Sequence, residues 1–246
     1  MDECHFEIAT PDGVMNTFTA CPDEGGPFPI VLFYMDAFGL RDEIFDMVRR
    51  LASAGYFVVA PNLYYRRART FSIEQTPEGM ACMFEMMAHL TNKGVVEDTR
   101  ALLGWLVSQS QASTSHVGAV GYCMSGPFVM AAAAAFPDQV KCVASIHGAR
   151  LVTDQADSPH LLARVLRSEV YLACATNDKW AEPATIAQLE EALKHSGTTY
   201  RVEWYEGAEH GFVFPQRAGV YDRGFAERHW CRLHALFSRH LAQQPA

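Results

Sequence analysis

A thiol, a carboxylate and an imidazole occur in this chain where each would follow a strand: Cys123 in Gly121-Tyr122-Cys123-Met124-Ser125-Gly126, Asp178 after Asn177, and His210 after Glu209. The first stretch has the form Gly-x-nucleophile-x-small between a strand-like run and a helix-like run, the pattern of a nucleophile set on a sharp turn, here with a thiol at its centre. A cysteine so placed projects its sulfur clear of a sheet, and the amino end of the following helix favours thiolate over thiol. A histidine can pair with that sulfur and later activate water, while an acid holds the imidazole's tautomer and stabilises its charged form. The backbone amide of Met124, with one from the loop after an early strand, Ala37, would bind a developing oxyanion, a term worth about 3–4 kcal/mol per donor. The chemistry this set suits is acyl transfer.

The elements that must carry these groups follow from apolar periodicity. Residues 5–9 and 14–20 read as two antiparallel strands around Pro11-Asp12-Gly13. Residues 30–35 are continuously apolar, as expected of a strand covered on both faces. Ile44, Phe45, Val48, Leu51 and Ala52 recur at helical spacing over 42–54, Gly55 ends that run, and 56–60 is a second buried strand. Strand, helix, strand argues for a parallel βαβ unit. The spacing further predicts helices over 95–107, 124–136, 183–195 and 222–241, and strands over 116–122, 140–146, 169–175 and 200–205.

Residues 62–94 interrupt this alternation with Arg66, Arg67 and Arg69 and then a methionine-rich helix over 77–90. Connections in compact domains are mostly short, so we expect this excursion to form a lid or cap on a single domain spanning 1–246. Its stripe of Met80, Met83, Phe84 and Met87 is expected in the core, with a pocket wall as the alternative. In an open parallel sheet the ligand site lies beyond the carboxyl ends of the strands. That places Asp36-Ala37, Cys123-Met124, His147, Asp178 and His210 together, in the order nucleophile, acid, histidine.

Bulk properties narrow the function classes. A formal net charge of -8, from 20 basic and 28 acidic side chains, disfavours nucleic acid as a partner. The longest apolar runs are too short to span a bilayer, and Met1-Asp2-Glu3-Cys4-His5 lacks the basic head and apolar middle of a signal peptide, so no membrane partner and a cytoplasmic location are expected. Seven scattered cysteines without a Cys-x-x-Cys pair support neither a disulfide framework nor a zinc site. Asp154, Asp157 and His160 match no standard metal spacing and are expected in a solvated loop.

Four stretches together resemble the dienelactone hydrolase family of α/β-hydrolases: Gly121-Tyr122-Cys123-Met124, Pro61-Asn62-Leu63-Tyr64 after an early strand, Asn177-Asp178 after a late one, and Trp204-Tyr205-Glu206 leading through Ala208 to His210. The resemblance covers most of the chain from Ile30 to the final helix. It implies the α/β-hydrolase fold, an α/β architecture with a mostly parallel central sheet and helices on both faces. It also implies a Cys123–His210–Asp178 triad that hydrolyses small-molecule esters or lactones through a thioester, without cofactor or metal, in a monomer or small homo-oligomer. The family's thiol-modulating acid is normally glutamate and here is Asp36, for which a helix-capping role is equally open. The family's arginine four residues beyond the histidine is replaced by Phe214, which with Arg66, Arg67 and Arg217 is a candidate substrate-binding residue, and Arg66, Arg67, Arg69 or Arg217 could supply the cation for an anionic substrate. Ser125 takes the place of the usual glycine, and its hydroxyl is a candidate to enter the site. Phosphotriesters as a side activity and thioesters remain open. The competing classes are a non-catalytic ligand-binding or regulatory protein on the same fold and a thiol redox sensor.

Overall fold

Eight strands join in one sheet in the order β1-β2-β4-β3-β5-β6-β7-β8 in a computed structural model that describes residues 1–73 and 76–241. Glu74 and Gln75, within the expected excursion, lie outside the described residues, as do residues 242–246. β1 (Asp2–Thr10) and β2 (Gly13–Cys21) form an antiparallel pair, and β2 runs antiparallel to β4 (Phe57–Pro61). From β4 onward, β3 (Phe28–Tyr34), β5 (Ala112–Tyr122), β6 (Val140–Ile146), β7 (Glu169–Asn177) and β8 (Tyr200–Glu209) are all parallel. The α/β-hydrolase architecture expected from the sequence is the one observed.

Alternate residues of the central strands feed two cores, as the two-residue period of a strand requires. Ile30, Leu32 and Tyr34 of β3 face the side covered by α3 (Asn92–Leu106), α4 (Gly126–Ala135) and α6 (Pro183–Ser196), through Leu102, Val129 and Leu189 among others. Val31 and Phe33 face the opposite side, where α1 (Asp42–Ala52) and α7 (Arg223–Leu241) supply Val48, Leu51, Leu233 and Phe237. α2 (Pro77–Ala88) and the short α5 (Pro159–Leu162) complete the helices. Thr76 begins α2 by accepting a hydrogen bond from the Gly79 amide at 3.2 Å, and Thr91 does the same for α3 through Gly94 at 3.0 Å.

Several strands run longer than periodicity predicts, β5 and β8 among them. β5 starts at Ala112 because Phe28 and Pro29 of β3 pair with Ala112 and Ser113, although Ser113 to Ser115 carry no apolar signal. β8 continues to Glu209, which pairs with Asn177 beyond an irregularity after Ala175. That extension delivers His210 to the same sheet edge as Asp178.

The turn from β5 into α4 is packed without slack. Cys123-Met124-Ser125 form a single tight 3-10 turn, so the predicted helix over 124–136 is regular only from Gly126. A β-carbon on Gly121 would sit 2.3 Å from the Ser125 carbonyl oxygen, and one on Gly126 would sit 2.5 Å from Ser145 Oγ and 2.6 Å from the Gly148 α-carbon. These two glycines allow the strand, the turn and the segment after β6 to touch through backbone. Gly126→Ala is therefore expected to lose about 3 kcal/mol of stability by overpacking. Gly104→Ala, in α3 where nothing lies within 4 Å of an added β-carbon, should gain about 0.5–1 kcal/mol. Denaturant midpoints of the two variants check the contrast.

Candidate active site

Cys123 sits at the carboxyl end of β5 with φ +56°, a left-handed conformation that side chains other than glycine rarely adopt. Such strain persists where the surroundings over-determine it. Here the Cys123 carbonyl accepts the Ala149 amide at 2.9 Å, and Gly121 and Gly126 leave no room for the turn to relax. Cys123 is part-exposed and opens into a cavity of about 630 Å³ that also receives Ala37, His210, Trp180 and Arg217.

Asp178 follows β7 and His210 follows β8, and the two meet through a 2.7 Å hydrogen bond in which His210 Nδ1 donates to Asp178 Oδ2. The Trp180 amide donates to the other carboxylate oxygen at 2.8 Å, so both oxygens of this buried acid are occupied. The bond assigns the proton to Nδ1 and leaves Nε2 buried and without a hydrogen-bond partner among the described residues. Burial opposes a charge on His210, but the Asp178 carboxylate and the nearby Cys123 sulfur outweigh it and raise the pKa to about 9.

His147, at the end of β6 with φ +39°, presses its ring edge-to-face on His210 at a centroid distance of 4.8 Å. Burial, and then the adjacent His210, push its pKa well below the ordinary histidine value, so the neutral ring serves as a wall that fixes the His210 plane. The strand-end position marked His147 in the sequence, but its environment did not follow from any motif.

Two side chains tie the elbow to the loop after β3. Ser125 Oγ donates to the Met35 carbonyl at 2.5 Å and is fully buried, so the serine that departs from the family pattern braces the elbow and does not enter the cavity. The Tyr64 hydroxyl contacts the Ala37 carbonyl at 3.0 Å and Met124 Sδ at 3.3 Å. These ties set the gap between the Ala37 amide, which finds no acceptor among the described residues, and the Met124 amide in the first turn of a helical segment.

Several expected site residues lie elsewhere. Arg66 is held by Asp98 at 2.7 Å and Asp12 at 2.8 Å, and Arg67 by Glu85 at 3.2 Å; neither lines the cavity, because acids distant in sequence pull both away. Arg69 is likewise paired with Glu7. Phe214 is fully buried against Tyr122 and His147 and does not line this cavity. Arg217 does reach the cavity, stacked on Phe38 and Phe214 at 4.7 and 4.8 Å.

Asp36 is buried and accepts from Arg41 Nη1 at 2.5 Å and Arg217 Nη2 at 2.8 Å, and no hydrogen bond joins it to the Cys123 sulfur. Its expected contact with the thiol is thus replaced by two guanidinium groups. It also accepts the Phe38 amide at 3.3 Å, a turn contact ahead of α1. The stripe of Met80, Met83, Phe84 and Met87 does both: Met83 is buried in the core with Met80 and Met87 packed against it, Phe84 is exposed, and all four line the cavity. Among the described residues no three His, Cys, Asp or Glu side chains cluster as metal ligands, and His160 is bonded through Nδ1 to Ser158 Oγ at 2.9 Å.

The pH dependence follows from the sign of the His210 shift. A histidine whose folded pKa is raised adds stability below its ordinary value of 6.5 and loses it as pH rises through about 9. In Asp178→Asn the ring's pKa should fall toward 6.5 and the loss of stability between those pH values should shrink. NMR titration of the His210 ring and denaturant melts across that range measure both effects.

Comparison with known proteins supports the same architecture. Residues 15–241 match the family model described as the dienelactone hydrolase family. A Methylorubrum extorquens protein provisionally named a carboxymethylenebutenolidase is 30% identical over 238 residues, covering 95% of this chain and 80% of that one. A crystal structure from Klebsiella pneumoniae, provisionally named a dienelactone hydrolase, superposes with a TM-score of 0.87 at 24% identity over 97% of this chain and 99% of that one. A dienelactone hydrolase-like promiscuous phosphotriesterase from metagenomic libraries gives a TM-score of 0.81 at 20% identity, over 98% of this chain and 100% of that one. With the family model matching residues 15–241 and a 30% identical relative covering 95% of the chain, this chain belongs to the dienelactone hydrolase family.

Proposed function

We propose that this protein hydrolyses carboxylic esters or lactones through a thioester on Cys123. The observation that carries the reading is the 2.7 Å Asp178–His210 bond, which leaves His210 Nε2 free in the same cavity as a left-handed cysteine. A pKa raised to about 9 by the acid and the sulfur keeps His210 charged at neutral pH, a cation beside the sulfur. The thiolate attacks the acyl carbon, and the carbonyl oxygen takes up negative charge between the Ala37 and Met124 amides. When the tetrahedral intermediate collapses, the C–O bond to the alcohol breaks and the alkoxide takes the Nε2 proton. The neutral imidazole then draws a proton from water as its oxygen attacks the thioester. Acid and thiolate are released, with His210 again charged.

Within the 62–94 excursion, α2 acts in this reading as the cover of the site. Its methionines and Phe84 present an adaptable apolar wall above the nucleophile, suited to an acyl or aryl group. Arg217 reaches the cavity already neutralised by Asp36, so it orients the wall more than it attracts an anion.

Turnover of a small aryl ester tests the proposal. Cys123→Ala and His210→Ala should each lower kcat by about 10³-fold or more, with the melting midpoint preserved within a few degrees in Cys123→Ala and a folded but less stable protein in His210→Ala. Full activity in Cys123→Ala would refute it.

A further inference from the structure

Met87, Ala88 and Arg150 line the cavity that holds Cys123, and the same three residues line a second cavity of about 410 Å³. That second chamber is lined by Pro127 and Phe128 at the start of α4, by Met124 just before it, and by Leu90 and Thr153. The two spaces therefore share a wall at the last turn of α2 and at the loop after β6. His210, Glu209 and Trp180 line only the first cavity, and Met124 lines only the second.

This arrangement assigns the two arms of an ester. The leaving alcohol must lie where His210 Nε2 can protonate it, on the His210 and Trp180 side. The acyl arm, bonded to the Cys123 sulfur, then extends away from His210 and toward Met124 and the shared wall.

The chemistry at the shared wall is cationic. Arg150 holds a left-handed backbone, φ +56°, next to Ala149, whose amide is bound by the Cys123 carbonyl. Among the described residues neither Arg150 nor Lys93, which also lines the second chamber, has a carboxylate partner, and the one acid lining it is Asp157. Two cations without a carboxylate partner among the described residues, in a chamber also lined by Leu90, Met124 and Phe128, suit a chain that is apolar along its length and anionic at its end.

The geometry points to the second chamber as an acyl subsite for elongated esters whose acyl arm ends in a carboxylate, that is, monoesters of linear dicarboxylic acids. This rests on the hydrolase reading above, and the test separates the two. The full chain is assayed with p-nitrophenyl acetate, p-nitrophenyl octanoate and the mono-p-nitrophenyl ester of suberic acid. Acetate reports the hydrolase reading alone, because its acyl group ends within the first cavity. No turnover of any ester would refute that reading, whereas the subsite is judged from ratios of kcat/KM to that of acetate.

In the wild type the suberate monoester should exceed octanoate by about tenfold. Thr153→Trp, which fills the chamber, should lower the ratio to acetate for both long esters about tenfold, and Arg150→Gln should bring suberate down to the level of octanoate. Should Thr153→Trp fail to fold, Gln155→Trp places the same bulk in the same chamber. Unchanged ratios in the filled variant, or a wild type that prefers octanoate over suberate, would overturn the subsite.

Discussion

Everything at the reactive edge depends on backbone-to-backbone contact around one strained residue. Cys123 holds a left-handed φ because β5 enters the turn and α4 leaves it with glycines at Gly121 and Gly126, where an added β-carbon would overlap neighbouring atoms at 2.3 and 2.5 Å. The contact partners are themselves fixed: Ser145 and Gly148 belong to β6 and its following loop, and Ser125 Oγ is bonded to the Met35 carbonyl. One turn thus locks the ends of β3, β5 and β6 together. The same packing carries the Ala149 amide to the Cys123 carbonyl and sets Arg150 beside the cavity.

Two charge assemblies flank this turn and behave differently. Asp178 and His210 form an isolated pair whose hydrogen bond selects a tautomer and raises the imidazole's affinity for a proton. Asp36, Glu43, Arg41 and Arg217 form a balanced quartet of two acids and two guanidinium groups, linked by contacts of 2.5 to 2.8 Å. Removing one member of such a buried set leaves another uncompensated, which is why the quartet reads as architecture more than as substrate recognition. Its effect on the site is indirect: it anchors the loop that carries Ala37 and stacks Arg217 over Phe38.

The order of strands and helices was legible because parallel strands buried on both faces leave continuous apolar runs, and the residues after them, Cys123, Asp178 and His210, carry chemistry in a fixed order. Long-range pairing was not legible. Arg66 and Arg67 looked available until Asp98 and Glu85, far along the chain, claimed them. Arg217 reaches the cavity while Phe214 does not line it, because the turn after β8 buries Phe214 and brings Arg217 back over it. The stripe on α2 shows why periodicity has a limit: an apolar face is recorded in sequence, but whether it meets a core or a cavity depends on what stands opposite. Ser125 and Tyr64 could be seen as motif positions, while the carbonyls they contact could not.

The account stands on acyl transfer to the Cys123 sulfur. His210→Ala, which lacks the base needed to release the acyl group, would be exposed to an activated aryl ester and analysed by intact mass and peptide mapping. The account predicts one added acyl mass on the peptide containing Cys123, absent in the His210→Ala/Cys123→Ala double variant. An acyl group on a different residue, or wild-type ester turnover that persists once Cys123 is removed, would contradict it.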